Sequence, residues 1–259
     1  MSYPLYLVRL SVDARKLYAF ARRSRVAGHE LDEGYAVHAL LAALFDHGAA
    51  EEEHVAPKPF RISESAPSTL DVLGYADIDH RALAERARTF AHPTAWTVCD
   101  IDSMASRPMP RAFAQGQRLG FTTRACPIRR IARCGPMTRD RAEVDAFLAK
   151  AWEVGPDVPL DRNDVYCDWL RAELAKEGAA DVLSASVTNY RLSRLHRRTH
   201  GDERRGHRSE RPDVTFEGTL RVLDSAAFGT RLARGVGRHR AFGFGMLLLK
   251  PAADSPGHG

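Results

Sequence analysis

An α+β fold of two similar halves in tandem is what this chain predicts, and three observations carry the expectation. Its 259 residues suit one large domain or two of roughly 100 to 150 residues. Short apolar stretches of strand type alternate with stretches of helical spacing along the whole length. Near the C-terminus, Gly235-Val236-Gly237-Arg238-His239-Arg240-Ala241-Phe242-Gly243-Phe244-Gly245 separates the last helical pattern from a final apolar strand over Met246 to Leu249.

Tyr3 to Ser11 reads as a half-buried strand with Leu5, Leu7 and Leu10 as its apolar positions, and an arginine-containing helical stretch follows through Ser24. Asp32 to Asp46 is a second helix. Two short strands are expected around Phe60 to Ile62 and Leu70 to Tyr75, and His80 to Ala91 returns to helical spacing with Leu83, Ala87 and Phe90. Arg118 to Ile131 reads as a strand pair or one long strand. Residues 1–135 therefore run strand, helix, strand, strand, helix, strand, the order of a ferredoxin-like (RRM-like) domain.

Residues 136–259 offer the same ingredients with a helical insertion at about 138–178. Thr138 to Val154 and Arg162 to Glu177 are amphipathic, the first opening on a Thr138 cap with Asp140 and Glu143 in its first turns. Val182 to Leu195 and Val214 to Leu223 are strands, and Asp224 to Arg234 is a helix with Ala226, Ala227, Phe228 and Leu232 as apolar positions. A polar loop, mobile without a ligand, is expected between Asp202 and Pro212. The glycine-rich loop (235–245) and last strand close a second ferredoxin-like unit.

No apolar run reaches membrane-spanning length and residues 1–10 lack a signal-peptide pattern, which predicts a soluble cytoplasmic protein with no membrane partner. Cys99, Cys126, Cys134 and Cys167 stand far apart without a C-x-x-C pair, so neither disulfides nor a structural zinc site is expected. His196 and His200 have a metal-compatible spacing, but the segment reads as extended and has no third ligand nearby; histidines that are solvated or face a polyanion fit better. No metal and no cofactor are expected.

Net charge is only +5, yet it is segregated. Arg107 to Arg141 holds nine arginines against one acid, and Arg191 to Arg211 eight against three; the rest of the chain has 21 basic and 29 acidic residues. Arginine forks match phosphate oxygens, so the charge points to nucleic acid, with a merely solvated basic face as the alternative. Aromatic residues make up only 8% and no RNP-like pair is visible, which argues against recognition on a sheet face.

Two segments could carry chemistry. The glycines of 235–245 free the backbone for positive φ or for close approach, while Arg238, His239 and Arg240 supply charge for phosphates. The order, helix before and strand after, is neither that of a Walker loop nor that of a dinucleotide fingerprint, and a plain helix-to-strand turn with a bulge is the other reading. On the helix over 32–46, Val37, Leu40, Leu41 and Leu44 form the buried stripe, and Tyr35 and His38 lie about 60° apart on its shoulder. There an imidazole could serve as acid or base, or simply bond a neighbouring carbonyl.

The segment from Gly235 to Pro251 resembles the signature of the CRISPR-associated repeat endoribonucleases, the Cas-six family. Tyr35 to His38, with Leu40, Leu41 and Phe45, is similar to the Tyr-x-x-His helix of its CasE branch. So are Ser209-Glu210-Arg211-Pro212 with Val214 to Gly218, and Pro127-Ile128-Arg129. Residues 14–30 and the helix from Thr138 to Val154 are additions to the usual CasE pattern. They leave open a divergent branch such as the processing nuclease of type IV systems.

The resemblance implies metal-independent cleavage of CRISPR repeat hairpin RNA to mature crRNA. The 2′-hydroxyl attacks the adjacent phosphate to give a 2′,3′-cyclic phosphate, and the protein stays bound to its product among the other subunits of an effector complex. It implies His38 and Tyr35 as catalytic residues, and Arg23, read from its place just before their helix, is expected to join them. For RNA binding, charge and position point to Arg22 and Arg25; to Arg194, Arg197, Arg198, Arg204, Arg205 and Arg208 of a basic hairpin at about 191–211; and to Arg238, His239, Arg240, Gly243 and Gly245 of the loop. Arginine cannot act as a base, but it can neutralise a phosphorane, so in a divergent branch the arginines would dominate. A non-catalytic scaffold that caps a guide-RNA hairpin, or a module whose arginines meet an acidic protein, are the competing readings.

Overall fold

Alternation sets the first sheet: in β1 (Tyr6–Asp13) the residues Val8, Leu10 and Val12 point to one side and are buried. This is the opposite phase from the Leu5 and Leu7 face expected, although Leu10 belongs to both. A computed structural model describes residues 4–24, 32–46, 55–110, 112–131, 142–198 and 206–252, with backbone alone for 196–198 and 206–208. The chain forms two compact units: Met1–Arg111 with Leu195–Arg208 and His239–Met246, and Ala112–Arg194 with Ser209–Arg238 and Leu247–Gly259.

In the first unit β1 is followed by α1 (Ala14–Arg23), α2 (Glu33–Leu41), β2 (Phe60–Ala66), β3 (Thr69–Ala76), α3 (His80–Phe90), α4 (Pro93–Trp96) and β4 (Ala105–Pro108). The antiparallel sheet has the order β2-β3-β1-β4, with Leu10 opposite Val72 and Tyr6 opposite Pro108. Each long helix begins on an aspartate whose carboxylate accepts backbone N–H groups: Asp13 for α1, Asp32 for α2 and Asp79 for α3. Leu17 and Phe20 of α1, Val37, Leu40 and Leu41 of α2, and Leu83 and Ala87 of α3 join Val8, Leu10, Val12, Leu70 and Val72 in one core. The α2 helix passes into a π turn over Ala42–Asp46, which buries Leu44 and Phe45.

The second unit contains β5 (Arg118–Ala125), β6 (Ile128–Ile131), β7 (Ala142–Asp145), α5 (Ala146–Val154), α6 (Arg162–Ala175), most of β8 (Ala180–Arg198) and of β9 (Gly206–Val222), α7 (Ser225–Arg234) and β10 (Leu247–Pro251). Its sheet has the order β10-β5-β9-β8. Counting strands from the first of each sheet, both orders read 4-1-3-2, the ferredoxin-like arrangement. Phe121 faces Gly218 across β5 and β9, where a Cβ on Gly218 would lie 2.0 Å from the Ser184 carbonyl oxygen.

Three elements differ from expectation. Arg118 to Ala125 opens the second sheet instead of closing the first, whose last strand is the four-residue β4. That strand, Ala-Ser-Arg-Pro, has almost no apolar signal. Residues 142–145 are strand and not helix: they pair with β6, and the cap is Asp145, whose carboxylate accepts from Phe147 N–H at 2.8 Å. Residues 206–212, expected in a polar loop, extend β9.

One cation ties α5, α6 and β8 together. The Arg162 guanidinium lies 4.0 Å from the Phe147 ring centroid and 5.0 Å from that of Tyr190, and donates to the hydroxyls of Tyr166 (2.9 Å) and Tyr190 (3.2 Å). The Tyr166 hydroxyl in turn donates to Asp145. Cys99, Cys126 and Cys167 are free and buried, and burial pushes the Cys99 thiol up to about 12. Among the described residues no helix is long and apolar enough to cross a membrane.

Candidate active site and nucleic-acid interface

Asp32 starts α2 by accepting from Tyr35 N–H at 3.0 Å, and one helical turn later His38 follows Tyr35 on the same flank. Both are half-buried, while Val37, Leu40, Leu41 and Leu44 are fully inside, as the helical spacing predicts. Against this flank rests the single turn Arg240–Phe242 of the glycine-rich segment, in the same unit. The Phe242 ring stands edge-on to His38 at 5.1 Å and tilted to Tyr35 at 5.8 Å; the Tyr35 and His38 centroids are 6.4 Å apart.

Two backbone features make that contact. Gly34 has no room for a side chain, because a Cβ would sit 2.3 Å from the Phe242 carbonyl oxygen. The turn is entered through His239 at φ 61° and left through Gly243 at φ 82°, and Phe242 N–H donates to the His239 carbonyl at 2.8 Å. Left-handed backbone at a non-glycine residue costs about 1–2 kcal/mol, so the fold sustains strain here to hold the turn in place. His239, expected to meet RNA, is 7% exposed with its ring 6.5 Å from that of Phe244. Gly245 also has positive φ, at 78°.

The structure thus joins Tyr35 and His38 with the turn Arg240–Phe242. Arg240 is exposed on that segment, and Arg22 and Arg23 are exposed at the end of α1, which packs against α2. Arg25, Arg204 and Arg205 lie outside the described residues, and Arg197, Arg198 and Arg208 lie where only backbone is described. Arg194 pairs with Glu210 at 3.3 Å. Arg238 donates to Glu143 at 2.7 Å, and Arg211 approaches the same carboxylate at 3.7 Å. Glu143, expected in a helix, is therefore a strand residue that braces the start of the glycine segment.

A buried acid that sequence reasoning missed organises the base of the basic hairpin. Asp213, 4% exposed, accepts two hydrogen bonds from Arg124 at 2.7 Å, one from Arg191 at 2.7 Å and one from the Ser193 hydroxyl at 2.6 Å. Burial alone would raise its pKa, but the Arg124, Ser193 and Arg191 hydrogen bonds and the Arg124 charge hold the carboxyl below the usual range. Part of the positive surplus in both arginine windows is thus neutralised inside the fold. Among the described residues no three His, Cys, Asp or Glu side chains gather into a metal-ligating group.

A model of the CRISPR associated protein family matches residues 5–251. The CRISPR-associated endoribonuclease Cse3 of Thermus thermophilus is 29% identical over 161 residues, 60% of this chain and 68% of its own. The fold is similar to a structure of the CRISPR endoribonuclease Cse3 bound to a 19-nt RNA, with TM-score 0.62 and 22% identity over 96% of this chain and 100% of that one. It is also similar to a chain of a CRISPR RNA-guided surveillance complex, with TM-score 0.50 and 15% identity over 94% of this chain and 98% of that one.

Proposed function

The chain belongs to the CRISPR-associated protein family, and we propose that within it this protein is a repeat-RNA endoribonuclease that stays with its product in an effector complex. The observation that carries this reading is the clustering of Tyr35, His38 and the turn Arg240–Phe242 around the Gly34 contact. A chain whose glycine segment served only as a connector would not need a helix glycine to admit its backbone.

In the proposed reaction the 2′-oxygen of the nucleotide upstream of the cut bonds to the adjacent phosphorus as its proton leaves to a base. The bond from phosphorus to the 5′-oxygen breaks, and that oxygen takes a proton. The products are a 2′,3′-cyclic phosphate and a 5′-hydroxyl. His38 supplies an imidazole for one of the proton transfers, and Tyr35 orients the scissile nucleotide beside it. Arg23 and Arg240 stabilise the phosphorane charge, a role their fixed protonation allows. The reaction so drawn uses no metal.

The test is cleavage of a repeat hairpin RNA in EDTA, with analysis of the new 3′ end. A cyclic phosphate is expected, and 2′-deoxyribose upstream of the cut should abolish the reaction. Cutting of the deoxy substrate would refute attack by the 2′-hydroxyl, and tight binding without cutting of the all-ribose RNA would leave a guide-RNA scaffold.

A further inference from the structure

Four of the ten residues of α1 are cations, Arg15, Lys16, Arg22 and Arg23, and none is acidic. At 100° per residue, Tyr18, Arg22, Arg15, Ala19, Arg23 and Lys16 fall within an arc of about 160°. All six are exposed, and Leu17, Phe20 and Ala21 on the other side are buried. The nearest acid in sequence, Asp13, is engaged at the helix start, where one carboxylate oxygen accepts from the N–H groups of Arg15 and Lys16 at 2.9 and 3.0 Å. None of the four cations has an acidic side-chain partner among the described residues.

This sets α1 apart from the arginine-rich windows. There Arg124 and Arg191 are held by Asp213, Arg129 by Glu153, Arg194 by Glu210, and Arg211 by Glu143. An uncompensated row of cations on one helix repels itself, so a face composed this way favours an anionic partner that lies along it.

We propose that the outer face of α1, centred on Arg15, Lys16 and Tyr18, is a further RNA-binding surface that grips the phosphate backbone next to the cleavage site. It rests on the reading of the chain as a repeat-RNA nuclease. Three of the four cations are arginines, whose planar forks match phosphate oxygens in pairs. Arg15 and Arg22 are about 10 Å apart along the helix, longer than the roughly 3.4 Å axial spacing of phosphates on one strand of a duplex, so the row meets several charges of one chain. An acidic protein would need carboxylates at matching intervals, whereas RNA supplies a charge at every nucleotide. Tyr18 is 40% exposed with the Arg22 guanidinium 5.9 Å from its ring centroid, an aromatic surface on which an unpaired base can stack. Because α1 packs on α2, this face belongs to the unit that carries Tyr35 and His38.

The experiment compares the parent with Arg15→Gln/Lys16→Gln in binding to an RNA hairpin with unpaired flanks, by fluorescence anisotropy over a salt series. Both positions are exposed, and circular dichroism melts check that the fold is kept. The plot of log affinity against log salt should become shallower by about 1.4 to 1.8 in slope, the loss of two phosphate contacts. Charge reversal, Arg15→Glu/Lys16→Glu, should weaken binding further. An unchanged slope in a folded double variant would overturn this inference and leave the nuclease reading intact. A loss of binding to polyglutamate with RNA binding unchanged would also overturn it, in favour of an acidic protein partner. If the parent neither binds nor cuts the hairpin, the nuclease reading itself falls and takes this one with it.

Discussion

Replacing Gly34 with alanine should slow RNA cleavage by about 100-fold while leaving RNA affinity nearly intact. The new Cβ would stand 2.3 Å from the Phe242 carbonyl oxygen and 3.0 Å from its carbon, and the obstacle is backbone, which cannot rotate away. Ordinary contact begins near 3.4 Å, so the turn Arg240–Phe242 must retreat by about 1 Å. A shift of that size in positioning is enough for roughly 100-fold in rate. Stability moves less: overpacking costs about 1–3 kcal/mol, and replacing a helical glycine with alanine returns about 1 kcal/mol. The expected net loss is about 0–2 kcal/mol. Gly229 of α7 is the control, because nothing lies within 4 Å of a Cβ built there. Gly229→Ala should be as active as the parent and slightly more stable. The assay is single-turnover cleavage at saturating enzyme, paired with thermal melts and binding measurements. A folded Gly34→Ala protein that cuts within a factor of a few of the parent would refute the idea that the α2 contact sets the geometry of the site.

Three further outcomes follow from the same geometry. His38→Ala should lower the single-turnover rate by roughly 100- to 10,000-fold with affinity nearly unchanged; if Arg23→Ala or Arg240→Ala costs more than His38→Ala, charge stabilisation and not proton transfer dominates. Asp213→Asn should destabilise the second unit by about 3 kcal/mol, because Arg124 and Arg191 lose the carboxylate that partners them, read as a drop in melting temperature. The Asp213 pKa is depressed in the folded state, so its contribution is present above the unfolded value near 3.9 and is lost as pH falls through the lower folded value. Melts of the parent should therefore lose stability in that acid window, and Asp213→Asn should show a flatter profile there.

The parts legible in the sequence were those written in local pattern. Helical spacing placed Val37, Leu40 and Leu41 inside and left Tyr35 and His38 at the boundary, and the structure keeps that division. Which sheet a strand joins is not a local property. Arg118 to Ala125 has the pattern of a sheet strand wherever it pairs, and the competing β4 is too short and polar to announce itself. Gly34 reads as an ordinary helix residue, because what matters is the Phe242 carbonyl more than 200 positions away. Asp213 reads as one acid beside an arginine-rich window; only the pairing of β5, β8 and β9 brings Arg124 and Arg191 onto it. Charge counts along the chain therefore overstated how much of the arginine surplus is available to a ligand.

The set of groups around Arg162 has an evolutionary corollary. Phe147 and Asp145 flank the start of α5, Arg162 and Tyr166 lie on α6, and Tyr190 lies on β8, so one guanidinium links α5 to α6 and β8. In a relative without the 142–154 segment the guanidinium would have neither Phe147 nor Asp145 to meet. Across the family, Arg162 and Tyr190 should therefore covary with the presence of that segment, and in chains that lack it those two positions should drift without constraint.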